Sequence, residues 1–310
     1  MTQPVAVSAV LFVLVVLLLG PLPGWLSRAG WADRSPRTTL AVWQATAASA
    51  GVCLVGALLT LAVAPLHPEL HHGFQTLSCH VLAGDPLRGL GVAQVAALAS
   101  AAAAIGWAAL AVGRTFARQA RVRRRHRRRV DLLATDRRRD VRVIDHAVPA
   151  AYCLPGLRSR IVVTSGLVDL LSAAELAAVL DHERAHARGR HHLVLLPFLA
   201  LGSALPRVPL ARTAHASAAR LVEMLADDHA RARHGGKVVA HALVKLAEHR
   251  AVAAPLPGGV LGAAEGALVA RVQRLTRAAR PIALWQRALI HTAALGLPVG
   301  PVVLLIPCLL

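Results

Sequence analysis

Acidic residues are scarce in this chain: 16 Asp and Glu stand against 35 Lys and Arg, and the glutamates number six. Cysteine is scarce too. Four cysteines spread over 310 residues, with no C-x-x-C pair, exclude a disulfide scaffold. Cys53, Cys79, Cys153 and Cys308 are most simply free thiols. Neither G-x-x-x-x-G-K-[ST] nor G-x-S-x-G occurs, so nucleotide hydrolysis and serine acyl transfer lack support. The basic run Arg114–Arg129 has a single aromatic, Phe116, and therefore no stacking platform for single-stranded nucleic acid. No Lys or Arg precedes Arg28, so the apolar N-terminal stretch lacks the basic n-region of a cleaved signal peptide.

What is present is segregated. The chain is 55% hydrophobic yet carries a formal net charge of +19, which requires apolar and basic blocks to be kept apart. Disorder is excluded because so much apolar surface can be buried. Four stretches reach the roughly 20 apolar residues that a bilayer core demands: about 5–22, 40–63, 91–112 and 288–309. None contains Lys, Arg, Asp or Glu, and only the last holds a histidine, His291.

Basic residues then orient the chain. Arg28, Arg34 and Arg37 lie between the first two spans, Arg88 alone lies between the second and third, and the rest lie between the third and fourth. The positive-inside rule puts 24–39 and 114–287 in the cytoplasm and both termini outside a cell membrane crossed four times. The expected organisation is therefore 1–113 with three transmembrane helices, 114–287 as a cytoplasmic domain, and 288–310 as the fourth span. Segment 114–142 reads as a juxtamembrane basic stretch that fixes orientation and binds anionic lipid, at roughly 1 kcal/mol per basic residue. Direct nucleic-acid binding is not expected.

Within the cytoplasmic block, Val141–Ile144 and Arg160–Thr164 read as short strands flanked by turn signals such as Pro155-Gly156. Ser172 and Glu175 form a capping box that opens a helix. That helix runs into His182-Glu183-Arg184-Ala185-His186, an H-E-x-x-H motif. Residues four apart share a helix face, so both imidazoles can reach one Zn²⁺. Glu183, one step round, is placed to act as general base.

A catalytic zinc takes a third protein ligand. Glu223 is the candidate, on a second helix with Asp227 four residues on. Asp227 would orient a ligand histidine through its second ring nitrogen. The apolar stretch Leu193–Pro206 is short for a span. A crossing there would also put His182 and Glu223 on opposite sides of the bilayer, so it reads as a buried or surface-lying helix. His191 and His192, just before it, read as surface residues. His229 and His234 are weak candidates for stabilising the oxyanion.

The stretch Tyr152–Leu171, the capping box, Asp181–His186 and Glu223–Asp227 together resemble the membrane-embedded gluzincin peptidases. The similarity is greatest to the peptidase module of the BlaR/MecR antirepressor receptors, with HtpX and the CAAX prenyl proteases more distant. The resemblance implies zinc-dependent endopeptidase chemistry, with His182, His186 and Glu223 as ligands and Glu183 as base. It implies that Arg160–Thr164 is an edge strand holding an extended peptide. It also implies a cytosolic helix-turn-helix repressor as substrate. Those receptors carry a β-lactam-binding domain after their last span, which has no counterpart after Leu310, so direct antibiotic sensing is not expected. The 64–90 loop holds His67, Glu69, His71, His72, Cys79 and His80, ligand types that suit metal sensing. Its simpler reading is an ordinary polar loop.

The expected fold class is thus an α-helical membrane protein with four transmembrane helices and a mainly α, small-sheet α+β gluzincin domain. The expected function is proteolysis of a cytosolic or membrane protein. Membrane-protein quality control is the enzymatic alternative. A non-catalytic receptor or scaffold, binding anionic lipid or DNA through its basic segment, is the alternative of another class.

Overall fold

The computed structural model describes residues 2–138, 140–156, 159–253, 258–277 and 282–305. The chain divides into two compact units, one of Met1–Gly113, Ala200–Ala216 and Ile282–Leu310, the other of Arg114–Leu199 and Ser217–Pro281.

The first unit is helical. It contains α1 (Gln3–Leu19), α2 (Pro21–Ser27), a 3-10 turn (Ala32–Arg34), α3 (Pro36–Val63), α4 (Leu70–Leu82) and the start of α5 (Val92–Leu133). Among the described residues, three helical stretches are long and apolar enough to cross a membrane: Gln3–Ser27, Pro36–Val63 and Val92–Leu133. Large apolar side chains such as Phe12, Val13, Ile105 and Trp107 are exposed on them, as lipid-facing residues are in water-free surroundings. The α3 interface is built from small residues, Ser49, Ala50, Gly56 and Ala57 among them, which let helices approach closely. Ser8 Oγ donates to the Ala57 carbonyl at 2.9 Å, tying α1 to α3.

The fourth expected span coincides with a helix that packs on α3, Leu284–Leu305, the last of the chain. It begins in polar residues around Arg287 and contains Pro298 and Pro301. Residues 306–309 of that expected span, and Cys308, lie outside the described residues. His291 is satisfied there, its Nε2 3.1 Å from Thr38 Oγ1. The 64–90 loop departs from expectation, because α4 occupies half of it. Leu70 and Gly73 are its buried residues, and a Cβ at Gly73 would press on the Val63 carbonyl at 3.2 Å.

The second unit joins a small sheet to a helical layer. Its strands are β1 (Ala134–Arg138), β2 (Val141–Ile144), β3 (Ala151–Leu154) and β4 (Arg160–Thr164), in the order β1-β2-β4-β3. β2 and β4 are parallel, with Val141 opposite Ile161, and both outer pairs are antiparallel. β2 and β4 are the two strands expected from sequence. The edge-strand expectation is corrected, however: β4 lies inside the sheet, and β1 and β3 are its edges. The reason is visible in the residues. Ile161 and Val163 pack with Leu167, Val179 and Ala242 on one face, while Val162 packs with Val130 and Leu154 on the other. A strand buried on both faces reads as a continuous apolar run, and an interior place is what that run requires.

The helices that follow are α6 (Ser165–Leu170), α7 (Ala173–Arg188), α8 (His191–Val194), α9 (Leu196–Ala204), α10 (Pro209–His234), α11 (Gly236–Ala253), α12 (Gly258–Thr276) and α13 (Leu284–Leu305). The apolar stretch 193–206 is therefore two short helices, neither long enough to span a bilayer. Ala178 of α7, Ala230 of α10, Val239 and Ala240 of α11 and Leu275 of α12 form a common core. The basic run is helical and partly engaged with the sheet. Arg127 Nη1 donates to the Pro155 carbonyl at 3.2 Å, His126 Nε2 lies 2.9 Å from the Tyr152 hydroxyl, and Asp131 pairs with Arg160 at 3.1 Å.

Candidate metal centre

α7 is anchored at its start and free to present a face at its end. The Ser172 N–H donates to Glu175 Oε2 at 2.9 Å, and Ser172 Oγ accepts from the Glu175 N–H at 3.4 Å, completing the capping box. Lys245 of α11 pairs with the same carboxylate at 2.8 Å and, with the Ser172 bonds, holds its pKa at about 2. Two turns later His182 and His186 emerge on one face. α10 passes beside that face and brings Glu223 and Asp227, also one turn apart.

Three donor groups converge there. His182 Nε2 and His186 Nε2 are 3.1 Å apart. Glu223 Oε1 lies 3.4 Å from His186 Nε2, and Glu223 Oε2 lies 3.5 Å from His182 Nε2. Zinc bonds of 2.0–2.1 Å in a tetrahedron place neighbouring donors about 3.3 Å apart. The two imidazole nitrogens stand near that spacing, and the carboxylate turns one oxygen toward each of them, so the three side chains can close on one cation. His182, His186 and Glu223 form a group that could hold a metal ion.

The electrostatics agree with such a site. Burial pulls the His182 imidazole down, but the facing carboxylates of Asp227 and Glu223 outweigh it and bring its pKa to about 9. The two carboxylates thus favour positive charge at this position. Burial lowers the His186 pKa and keeps its imidazole neutral, the form that ligates. Burial opposes ionisation of Glu223, yet His182 and Arg271 keep its pKa below the ordinary carboxylate range.

Each ligand imidazole has a partner behind it. His182 Nδ1 lies 3.0 Å from Asp227 Oδ1, a charge contact rather than a straight hydrogen bond. Asp227 is 1% exposed and is gripped by Arg271 of α12, whose Nε and Nη2 donate to its two oxygens at 2.7 Å each. Arg271 Nη1 also reaches Glu223 Oε2 at 3.2 Å, leaving Oε1 toward His186. A second fork, Arg274 on Asp228 at 2.7 Å, fastens the same two helices. On the other side, His186 Nδ1 lies 2.9 Å from His191 Nδ1. An Nδ1–H of His186 donating there leaves its Nε2 lone pair turned into the cluster.

His191 is accordingly a correction. It is buried rather than a surface residue, and His192 is half-buried. The chain turns sharply to bring it back: Arg190 adopts a left-handed backbone (φ 45°), and Gly189 leaves room for the ring. A Cβ at Gly189 would lie 2.4 Å from His191 Nε2. α7 has ended at Arg188, so the turn carries His191 back to His186. Arg271 also escaped the sequence reading. Arg271 and Arg274 stand three apart and so share a face of α12, but that spacing does not name Asp227 and Asp228 as their partners.

Glu183 is half-buried and acts electrostatically on both Arg271 and Cys153 of β3. Edge strand β3, which packs on α7, therefore lies beside the motif. The other two histidines weighed from sequence are engaged with α7 neighbours: His234 Nε2 contacts Asp181 Oδ2 at 2.9 Å, and His229 contacts Arg188 and Arg233. Cys53, Cys79 and Cys153 are free thiols.

Residues 116–256, the stretch that holds His182, Glu183, His186 and Glu223, match the sequence model of Peptidase family M48. The match supports the zinc metallopeptidases broadly and does not single out the BlaR/MecR type. No curated protein and no solved structure matches the chain significantly.

Proposed function

We propose that the protein is an integral-membrane zinc-dependent endopeptidase, with His182, His186 and Glu223 as metal ligands and Glu183 as catalytic base. The observation that carries this reading is the convergence of those three donors, with Glu183 on the same helix. Zinc, when bound, supplies Lewis acidity to the scissile carbonyl and the attacking water. Glu183 takes a proton from that water as its oxygen attacks the carbonyl carbon. It then delivers the proton to the amine nitrogen as the C–N bond breaks. Asp227 and His191 hold the two imidazoles in place, and Arg271 keeps Asp227 and Glu223 ionised. The substrate adds to the sheet at β3 as an extended strand, because β3 has no strand on its outer side among the described residues and lies beside α7.

The proposed topology has four spans, α13 being the fourth, with 114–287 in the cytoplasm and both termini outside. The division of basic residues supports it, as does the passage of α5 from an apolar helix straight into an arginine-rich one. The proposed substrate is a cytosolic or membrane protein, a helix-turn-helix repressor in the signalling role that the resemblance implies. The test uses full-length protein purified in detergent. Wild type should hold zinc and cleave itself or the candidate repressor, and Glu183→Ala should hold zinc and cleave nothing. His182→Ala should lose both this zinc and cleavage. Cleavage by the Glu183→Ala chain would overturn the assigned base, and wild type without zinc in this site would leave a non-catalytic scaffold.

A further inference from the structure

The first unit contains a second donor cluster that the peptidase reading does not use. The segment His67-Pro-Glu-Leu-His-His72 turns from the end of α3 into α4, and Glu69 is the N-cap of α4. An acidic N-cap ordinarily accepts from the first amides of its helix. The Glu69 carboxylate makes no such bond and faces imidazoles instead. His72 Nδ1 is 3.0 Å from Glu69 Oε2, and His71 Nε2 is 3.7 Å from the same oxygen. His67 stacks near His72, their ring centroids 4.6 Å apart. Donor atoms of His67, Glu69 and His72 all lie within 4.8 Å of one another.

The turn is also held from outside itself. The Gln3 N–H donates to the Pro68 carbonyl at 3.2 Å, and Gln3 Oε1 accepts from the Leu70 N–H at 3.0 Å. Two bonds from one residue thus bracket Glu69 and fix the backbone that carries the donors. His67 is further oriented by the bond its Nδ1 accepts from the Glu69 N–H at 3.1 Å.

We infer that this turn is a second metal site, binding a zinc-class divalent cation through His67, Glu69 and His72. Two imidazoles with one carboxylate are a borderline N/O set that suits Zn²⁺, Cu²⁺ or Ni²⁺ over Mg²⁺ or Ca²⁺. The geometry replaces the simpler reading of 64–90 as an ordinary polar loop. It also rests on residues that share nothing with the H-E-x-x-H helix, so the two sites stand or fall separately.

The experiment counts zinc per chain by elemental mass spectrometry after gel filtration of full-length protein in detergent, equilibrated with Zn²⁺. Wild type should carry two equivalents. The double variant His67→Ala/His72→Ala should carry one and cleave as wild type does. The variant His182→Ala/His186→Ala should also carry one, and Co²⁺ added to it should give the absorption of a low-coordinate N/O site, lost on further Glu69→Gln substitution. Gln3→Ala, which touches no donor, should weaken this second equivalent roughly tenfold. Unchanged zinc content in the His67→Ala/His72→Ala chain would overturn the inference, as would a His182→Ala/His186→Ala chain that retains none.

Discussion

Arg271 grips Asp227 through two 2.7 Å bonds that span 44 residues of chain, and Asp227 in turn stands 3.0 Å behind His182. Removing the guanidinium leaves a carboxylate buried without its principal cation. Arg271→Ala should cost about 3–5 kcal/mol of stability in thermal or denaturant unfolding. Zinc affinity at the H-E-x-x-H site should fall 10- to 100-fold, as when the partner behind a metal ligand is lost. Arg271→Lys should rescue little, because an ammonium cannot form the planar fork. An Arg271→Ala chain with wild-type melting temperature and zinc affinity would show that the clamp is incidental.

His191 should behave as the counterpart of Asp227 on the other imidazole. His191→Ala is expected to weaken zinc 10- to 100-fold, with a smaller loss of stability than Arg271→Ala. Gly189→Ala should push in the same direction, since the new Cβ would meet the His191 ring at 2.4 Å and the Ala185 carbonyl at 3.1 Å. Zinc titration of both variants checks this, and a Gly189→Ala chain that binds zinc normally would contradict the packing argument.

The pairing of Lys245 with Glu175 lowers the Glu175 pKa from 4.5 to about 2, so its stabilisation has a defined pH window. A depressed carboxylate favours the folded state fully above its unfolded pKa. That contribution is lost as pH falls from about 4.5 toward 2. Glu175→Ala should therefore flatten the acid limb of the stability curve across that interval. At neutral pH it should also remove one arm of the capping box, at about 0.5–2 kcal/mol. Unfolding curves collected from pH 2 to 7 on both chains measure each effect.

Cys153 should alkylate slowly. Burial, with the nearby charge of Glu183, raises its pKa to about 11, so the thiolate is a minor species at neutral pH. Its rate with iodoacetamide should rise about tenfold per pH unit through pH 8–10. Substrate peptide bound along β3 should slow it further. Mass mapping of modified cysteines gives the rate, and rapid labelling of Cys153 at pH 7 would count against its placement beside Glu183.

Sequence alone determined the features that depend on near neighbours. Helical periodicity set His182 beside His186 and Glu223 beside Asp227, the capping box marked the start of α7, and β-branched runs marked β2 and β4. Apolar length marked four bilayer-scale stretches, three of them long apolar helices among the described residues, because each of these signals is carried by contiguous residues. Tertiary structure alone decided which faces meet. It placed the Glu223 carboxylate against the two imidazoles and closed Arg271 on Asp227. It put β4 inside the sheet rather than at its edge, folded His191 back onto His186 past the end of the helix, and gathered His67, Glu69 and His72 under the hold of Gln3. Most of these are pairings between distant segments, chosen by packing and by the need to satisfy buried charge; the two local ones, His186 with His191 and the 67–72 turn, depend on backbone turns that residue spacing does not reveal.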